Sequence, residues 1–166
     1  MNNIIFIGMP ASGKSTIGVV VAKRLGYDFL DSDLLIQKQE GRLLKDIIAE
    51  KGADGFLEVE DRVNASIDVE HTVISPGGSV VYCENAMKHF KEIGTIIYLQ
   101  TSYKTICRRI GDPKKRGVVL KQGQTLKDLY EERKVLFEQY ADIIICEDDL
   151  TLDETIGMVV KSLSEN

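Results

Sequence analysis

The chain has 166 residues, of which 43% are hydrophobic and 28% charged, and 21 basic against 26 acidic side chains give a formal net charge of −5. This length suits one compact domain, and the composition is typical of a soluble globular protein. A mildly acidic chain has no general attraction for nucleic acid or an anionic membrane, so we expect neither as a partner.

Cysteine usage and the first residues indicate the cellular setting. The three cysteines, Cys83, Cys107 and Cys146, are far apart and form no CxxC pair. This argues against a disulfide framework or a zinc site and fits a reducing compartment. The start, MNNIIFIGMP, lacks the basic residues and long apolar run of a signal peptide, and no apolar run reaches the length of a membrane span. We expect a cytoplasmic protein that acts as a monomer.

Short apolar runs alternate with amphipathic segments along the chain. The short runs predict five strands, and three of them are continuous enough for strands buried on both faces. The predicted strands are 4–7, 29–30, 73–74, 96–99 and 143–145. The predicted helices are 15–25, 43–51 with Gly52 as its stop, 56–67, 84–93, 103–110, 126–141 and a last helix from a capping box at 151–154 to about 163.

This alternation predicts an α/β fold with a parallel sheet and helices on both faces. No repeat, low-complexity segment or linker marks a second domain, so residues 1–166 are interpreted as a single domain. The chain has only three prolines, Pro10, Pro76 and Pro113, and each lies in a predicted loop near a glycine. In such folds the loops at the carboxyl ends of the strands carry the chemistry.

The first of these loops, GMPASGKST at residues 8–16, matches the phosphate-binding pattern GxxxxGK[ST] between a strand and a helix. Gly8 and Gly13 allow the backbone to curl so that its N–H groups point at phosphate oxygens. Lys14 can reach the β- and γ-phosphates, and the Ser15 hydroxyl can bind Mg²⁺. The alternative is a turn that binds nothing. The motif predicts a nucleoside triphosphate site that also includes Pro10, Ala11, Ser12 and Thr16.

The stretch FLDSD, residues 29–33, ends the second predicted strand. Asp31 and Asp33 are two positions apart, so on an extended segment both carboxylates point the same way. If this strand adjoins the P-loop strand, its carboxyl end faces the nucleotide. One carboxylate could then hold Mg²⁺, and the other could orient a substrate hydroxyl and take its proton. The alternative is that Asp or Ser here caps a helix beginning at LLIQKQ.

Two further loops are candidates for binding. Adjacent Gly77 and Gly78 follow the HTVI strand and allow a ligand to approach the backbone, although a plain turn is the alternative. The polar loop GDPKKRGVVLKQG at 111–123 carries four cations against one aspartate. It is either a solvated basic loop or a lid that excludes water and brings Arg116 to the transferring phosphoryl group.

Taken in order, these motifs resemble the shikimate kinases. GMPASGKSTIG resembles the family's P-loop and LDSD its Asp-x-Asp. GRLLKDIIAEKGADGF resembles its run into a G-E-x-x-F helix, PGG its glycine loop, RR…R its lid, and ERKVLFEQYA its last motif helix. The resemblance implies a P-loop NTPase fold with a five-stranded parallel sheet. It also implies a substrate-binding helical segment at about 32–68 and a mobile lid at about 111–124.

The resemblance implies ATP and Mg²⁺ as cofactors and transfer of the γ-phosphoryl group to the 3-hydroxyl of shikimate. On the nucleotide side, Lys14 and Arg116 would contact the phosphates. Arg109 would lie near the adenine, and Asp31 would join Ser15 as a metal ligand.

On the acceptor side, the resemblance makes Asp33 the residue that holds the reacting hydroxyl. Arg133 would pair with the shikimate carboxylate, and the backbone of Gly77 and Gly78 would donate hydrogen bonds to the substrate. Judged from the residues alone, Arg133 could equally be a solvated residue of a charged helix.

The sequence departs from the family where an arginine for the substrate carboxylate follows the phenylalanine of G-E-x-x-F. Leu57 follows Phe56 here, and Arg62, five positions later, should face elsewhere. An arginine–carboxylate contact contributes about 1.5–3 kcal/mol, so its loss would weaken shikimate binding about ten- to a hundredfold. A milder departure is Ser79 at the third position of the glycine loop.

Three functions are compatible with this pattern. The first is a shikimate kinase with a rearranged carboxylate site. The second is a related kinase for another small hydroxylated metabolite, such as gluconate, which Leu57 would favour. The third is a nucleotide-binding regulator without an acceptor, although such a protein has no evident need for an aspartate pair and a basic lid.

Overall fold

The computed structural model describes residues 3–165, in which five parallel strands are combined with seven α-helices. All five predicted strands are present. The strands are β1 (Asn3–Ile7), β2 (Asp28–Asp31), β3 (Thr72–Ser75), β4 (Gly94–Gln100) and β5 (Ile143–Cys146). The helices are α1 (Lys14–Leu25), α2 (Ser32–Glu40), α3 (Leu44–Ala65), α4 (Glu84–Ile93), α5 (Tyr103–Ile110), α6 (Leu126–Tyr140) and α7 (Leu152–Ser164), with a 3₁₀ turn at Gly78–Tyr82.

The strand order is β2-β3-β1-β4-β5. The fully buried strand β1 lies at the centre between β3 and β4, whereas β2 is a partly exposed edge strand. The condition that the second strand adjoins the P-loop strand is therefore not met, because β3 lies between β2 and β1. The carboxyl end of β2 nevertheless lies close to the P-loop. Asp31 is in register with Ser75 at the carboxyl end of β3, and β3 adjoins the P-loop strand β1.

Both faces of the sheet are covered, as the continuous apolar strands predict. Alternate residues of β1 point to opposite sides. Ile5 and Ile7 pack in a core with α4 and α6, and Ile4 and Phe6 pack in a second core with α1 and α7. The two cores thereby cover both faces of the sheet and leave the loops at its carboxyl edge to form a site.

Helices α2 and α3 form a third, smaller apolar cluster of their own, made by Ile36, Ile47, Phe56, Val59 and Val63. Gly52 interrupts α3 with φ 72° and ψ 179°, so the predicted stop at this glycine is confirmed, and the next predicted helix continues beyond the kink. This cluster lets the two helices pack as a unit beside the sheet.

The structure contains a helix, α2, that is not among the predicted helices, although residues typical of helix boundaries are present at both of its ends. The Asp31 side chain accepts hydrogen bonds from the backbone N–H groups of Asp33 and Leu34, and Gly41 ends the helix in a left-handed conformation. The extended stretch therefore stops at Asp31. The expectation that Asp31 and Asp33 alternate on one strand is wrong, because Asp33 lies in the first turn of α2, and the helix-cap alternative is right for Asp31.

Two remaining features agree with the sequence analysis. The capping box at Thr151 and Glu154 is formed at the start of α7. The proposed lid, 111–124, contains no helix or strand and is built from turns. Over residues 3–165, no helix combines the length and apolar character needed to cross a membrane.

Candidate active site

The P-loop connects the end of β1 to the start of α1. An added Cβ at Gly8 would lie 2.9 Å from the Leu99 carbonyl oxygen, so only glycine allows this close approach. Gly13 adopts a left-handed conformation at φ 88°, and so does Ala11 at φ 66°, which is uncommon for a residue with a Cβ. The loop thus holds a strained turn directly in front of the helix N-terminus, the arrangement that binds phosphate.

Lys14 is curled over this loop. Its ammonium donates hydrogen bonds to the carbonyl oxygens of Gly8 at 3.0 Å and Met9 at 2.9 Å. Burial lowers the pKa of Lys14 to about 8, although the nearby Asp33 carboxylate opposes this shift. The ammonium is therefore poorly solvated, and an anion in the loop would strengthen its charged form.

A cavity of about 960 Å³ opens in front of the P-loop at the carboxyl edge of the sheet. It is large enough for a nucleotide phosphate chain and a small acceptor together. The predicted site residues that line it are Pro10, Ala11, Gly13, Lys14, Ser15, Thr16, Asp31, Asp33, Gly77, Gly78, Arg116 and Arg133. Gly8 and Ser12 also belong to the loop, but they are buried and do not line this cavity.

Arg109 lies at a second cavity of about 650 Å³, formed by the start and end of α5 and the loop after β5. Its guanidinium also donates to the Ala11 carbonyl oxygen at 3.1 Å, so the second cavity begins where the P-loop ends. Glu147 belongs to this cavity and hydrogen-bonds the Thr101 hydroxyl. Arg109 thus lies beside the P-loop, at the edge of the second cavity.

Ser15, at the start of α1, and Asp31, at the end of β2, both lie near Ser75 at the end of β3. The Ser15 hydroxyl lies 3.3 Å from the Ser75 hydroxyl, and Ser75 is the register partner of Asp31. One Asp31 oxygen caps α2, and the other is left for a ligand. Mg²⁺ usually takes one or two carboxylates with hydroxyl, water and phosphate oxygens, so this set fits it without a larger acidic cluster.

Asp33 faces the cavity from the first turn of α2. Burial raises its pKa to about 6, and the Asp31 carboxylate adds to the shift, while Lys14 opposes it. A carboxylate with a raised pKa is a stronger proton acceptor than an exposed aspartate. The position suits contact with a substrate hydroxyl facing the P-loop.

Arg133 is 93% buried in α6, so the solvated-helix alternative is wrong. Its Nη1 lies 3.1 Å from the point where a Cβ on Gly78 would stand, and its guanidinium is 5.5 Å from the Tyr82 ring centroid. Its Nε atom is buried and has no hydrogen-bond partner within residues 3–165. A cation held in this way can receive an anionic group of a substrate.

Comparison with known proteins identifies this arrangement. The family model for shikimate kinase matches residues 10–164. The shikimate kinase of Persephonella marina is 38% identical over 146 residues, covering 87% of this chain and 88% of that protein. The shikimate kinase of a Sulfurihydrogenibium species is 32% identical over 164 residues, covering 98% of each. The chain belongs to the shikimate kinase family.

Solved shikimate kinases have the same fold. The structure of shikimate kinase from Acinetobacter baumannii in complex with shikimate has a TM-score of 0.89 at 26% identity and covers 100% of this chain and 94% of that one. The enzyme of Aquifex aeolicus has a TM-score of 0.79 at 28% identity, with coverage of 99% and 97%. The predicted P-loop NTPase fold is confirmed, and the protein is an ATP- and Mg²⁺-dependent kinase that phosphorylates a hydroxyl group.

Two residues that line the cavity of this kinase were not predicted from the sequence. Glu60 on α3 is fully buried with its carboxyl toward the site, and Ser75 is buried at the end of β3 beside Ser15. A lone acidic residue in an amphipathic helix and a serine after a strand carry no signal in a single sequence. Only the fold brings them to the cavity.

The acceptor wall contains Leu57 together with the apolar side chains of Leu44, Ile48 and Phe56. The prediction that Arg62 faces elsewhere is confirmed, because it pairs with Glu40 on the outside of α2. That Leu57 occupies the family's arginine position stays a prediction. The cations that line the cavity are Lys14, Lys45, Lys114, Arg116, Lys121 and Arg133.

The proposed lid lies over the cavity. Val118 anchors it, since this residue is 92% buried and packs in one core cluster with Leu129 and Tyr130. Arg116 is exposed and donates to the backbone carbonyl of Arg109 at 3.3 Å. Arg116 thus stands between the phosphate cavity and the second cavity.

Proposed function

We infer that the protein transfers the γ-phosphoryl group of ATP to the 3-hydroxyl of shikimate. The observation that carries this inference is one cavity that combines the P-loop, Asp33 and Arg133 in a member of the shikimate kinase family. The Acinetobacter enzyme with bound shikimate, which aligns over the whole of this chain, supports the same acceptor. Membership of the shikimate kinase family argues against the gluconate-type alternative and removes the motive for the regulatory alternative.

The residues divide the reaction between them. We propose that Asp33 accepts a hydrogen bond from the shikimate hydroxyl, orients it toward the γ-phosphorus and takes its proton as the new P–O bond forms. The bond between the γ-phosphorus and the bridging oxygen of the β-phosphate breaks in the same step, and ADP leaves. Lys14 would stabilise charge on the transferring group from the P-loop, and Arg116 would do so from the lid. Residues 111–124 would close over the triphosphate and exclude water, which would otherwise hydrolyse ATP.

Nucleotide and metal are held by the opposite side of the cavity. We propose that the P-loop backbone binds the phosphates, that Arg109 packs near the adenine, and that Ser15 and Asp31 are the Mg²⁺ ligands. Bound Mg²⁺ would neutralise charge on the phosphate oxygens. Ser75, within hydrogen-bond distance of Ser15, would orient its hydroxyl.

The acceptor side uses Arg133 for the shikimate carboxylate and the backbone of Gly77 and Gly78 for its hydroxyls. Lys45, in the first turn of α3, is an exposed cation on the same wall as Leu57 and can approach the carboxylate from outside. We also propose that residues 1–166 form a single domain with the substrate segment at about 32–68, and that the protein acts as a cytoplasmic monomer.

A coupled ADP-release assay with Mg²⁺-ATP tests the acceptor directly. We expect turnover that depends on shikimate at millimolar concentration or below and is absent with gluconate or homoserine. A reaction with gluconate alone would keep the kinase and overturn shikimate as its acceptor. ATP hydrolysis without any acceptor dependence would overturn the proposed function as a whole.

Replacing Gly78 with alanine should damage the acceptor site. The new Cβ would lie 2.9 Å from Pro10 Cδ, 3.1 Å from Arg133 Nη1 and 3.2 Å from the Gly8 carbonyl oxygen. Overpacking of this kind costs about 1–3 kcal/mol, so we expect the KM for shikimate to rise about fivefold or more.

Gly157→Ala is the matched control for this variant. Gly157 lies in α7, where an added Cβ meets none of the described atoms within 4 Å. This variant should leave the KM values for shikimate and ATP unchanged. It should raise the stability of the protein slightly, because alanine is a better helix former than glycine. Equal KM values for shikimate in the two variants would contradict the role given to Gly78.

A further inference from the structure

The two carboxyl oxygens of Glu60 differ in their hydrogen bonding. Its Oε1 accepts hydrogen bonds from the Ser79 hydroxyl at 2.7 Å and from the Cys83 thiol at 3.7 Å. Its Oε2 is buried and has no hydrogen-bond partner among the described residues. If the carboxyl carries a proton, the accepting role of Oε1 assigns that proton to Oε2.

Oε2 lies beside Gly77, on the acceptor side of the cavity. The position of a Cβ on Gly77 is 3.1 Å from Oε2 and 3.2 Å from Asp33 Oδ1, so the two carboxyl groups flank the same glycine. Both residues line the cavity. Two carboxylates so close to one point resist being ionised together.

The charges around Glu60 offer little compensation. Asp33 faces it from α2, Arg133 from α6, and the neutral Ser79 and Cys83 from the 3₁₀ turn and its end. On its own helix, the residue one turn earlier is Leu57. An arginine at that i−3 position would be placed to pair with the carboxylate, and leucine cannot do so.

Burial raises the pKa of Glu60 to about 7, and the Asp33 carboxylate adds to this shift. The hydrogen bond from Ser79 and the charge of Arg133 oppose it without cancelling it. The neutral form is thus accessible near neutral pH. An anionic acceptor entering the cavity would favour that form further, since it adds negative charge nearby.

We propose that Glu60 binds the acceptor as a neutral carboxylic acid, donating the Oε2 proton to an oxygen of shikimate while Oε1 keeps its bonds to Ser79 and Cys83. Beside the apolar Leu57, this neutral donor supplies part of the hydrogen bonding to the acceptor that a charged arginine would supply. This inference rests on the proposed function. It makes shikimate binding a proton-linked step above neutral pH.

Calorimetric titration of shikimate in buffers of different ionisation enthalpy measures this linkage without relying on activity. For the wild-type protein we expect close to one proton to be taken up per shikimate at pH 8.5 and little uptake at pH 6, with affinity falling about tenfold per pH unit above pH 7. Glu60→Gln should abolish the uptake and flatten the affinity, because its amide donates at every pH.

Leu57→Arg is an independent variant that does not alter Glu60 itself. The added guanidinium should keep Glu60 ionised, remove the proton uptake and make shikimate affinity nearly independent of pH. Glu58→Gln, a change on the exposed face of the same helix, is the matched control and should titrate like wild type.

The outcomes separate this inference from the proposed function. Wild-type binding of shikimate with no uptake at pH 8.5 overturns the role of Glu60 and leaves the acceptor in place. Uptake that persists in Glu60→Gln or in Leu57→Arg also overturns it, because the proton then goes to another group. Failure of the wild-type protein to bind shikimate at pH 6 overturns the acceptor assignment, and this inference with it.

Discussion

Asp33→Asn is expected to lower kcat for shikimate phosphorylation about 10²–10⁴-fold, the usual contribution of a general base. Asparagine keeps the size of the side chain and can still contact a hydroxyl, but it cannot take the proton. The KM for ATP should change little, because the P-loop and Arg109 are untouched. Steady-state kinetics with each substrate varied in turn measures both quantities.

Stability provides the control for this variant. In the ligand-free protein the pKa of Asp33 is raised to about 6, above the ordinary value of 3.8, mainly by burial. The native state therefore binds more protons than the unfolded state between these values, and stability falls as pH rises through this window. The uncharged asparagine removes that penalty, so the variant should unfold at an equal or higher temperature than wild type at pH 7. Near-normal kcat in a folded variant would contradict the role of Asp33.

The P-loop was predictable from the sequence because its function requires a local backbone shape. Glycines, Lys14 and Ser15 lie within nine consecutive residues, so the spacing in the chain is the spacing in the site. The strands were predictable for a similar reason, since burial on both faces demands unbroken apolar runs such as Ile4 to Ile7. The sequence thus predicts those features whose physical cause lies within a single turn or strand.

The aspartate pair illustrates the limit of such local patterns. An alternating pattern suggested one strand, yet the backbone turns into α2 at Ser32 because Asp31 accepts two N–H groups of the new helix. Both carboxylates still reach the cavity, although by a different geometry. A cap and a strand end can share the same few residues, and only the packing of α2 against α3 decides between them.

Long-range contacts defined the rest of the site. Glu60 lies beside Gly77 and Arg133 beside Gly78, so the site joins three separate segments of the chain. The burial of Arg133 depends on the packing of α6 over the 3₁₀ turn. In the sequence Arg133 sits between Glu132 and Lys134, which is typical of a solvated face. The resemblance to shikimate kinases implies a role in substrate binding for Arg133, and the packing of α6 explains why this residue is buried.

Arg133→Ala is expected to weaken shikimate binding by at least a hundredfold while kcat at saturation falls less. Removing one partner of a buried charge pair costs about 2–5 kcal/mol, and here the effect should lie in the upper half of that range. Arg133 is the buried arginine on the acceptor side, whereas Arg62 pairs with Glu40 on the outside and the wall at Leu57 is apolar. Calorimetry and the KM for shikimate give the two readouts.

Lys134→Ala is the matched control, since this neighbouring cation is half-exposed and lies 4.0 Å from Glu138 on the outer face of α6. It should leave shikimate affinity unchanged. In Arg133→Ala the pKa of Glu60 should rise further, because Arg133 is a charge that lowers it. The pH above which shikimate affinity declines should therefore move upward in this variant. A KM for ATP that rises in place of the KM for shikimate would assign Arg133 to the nucleotide.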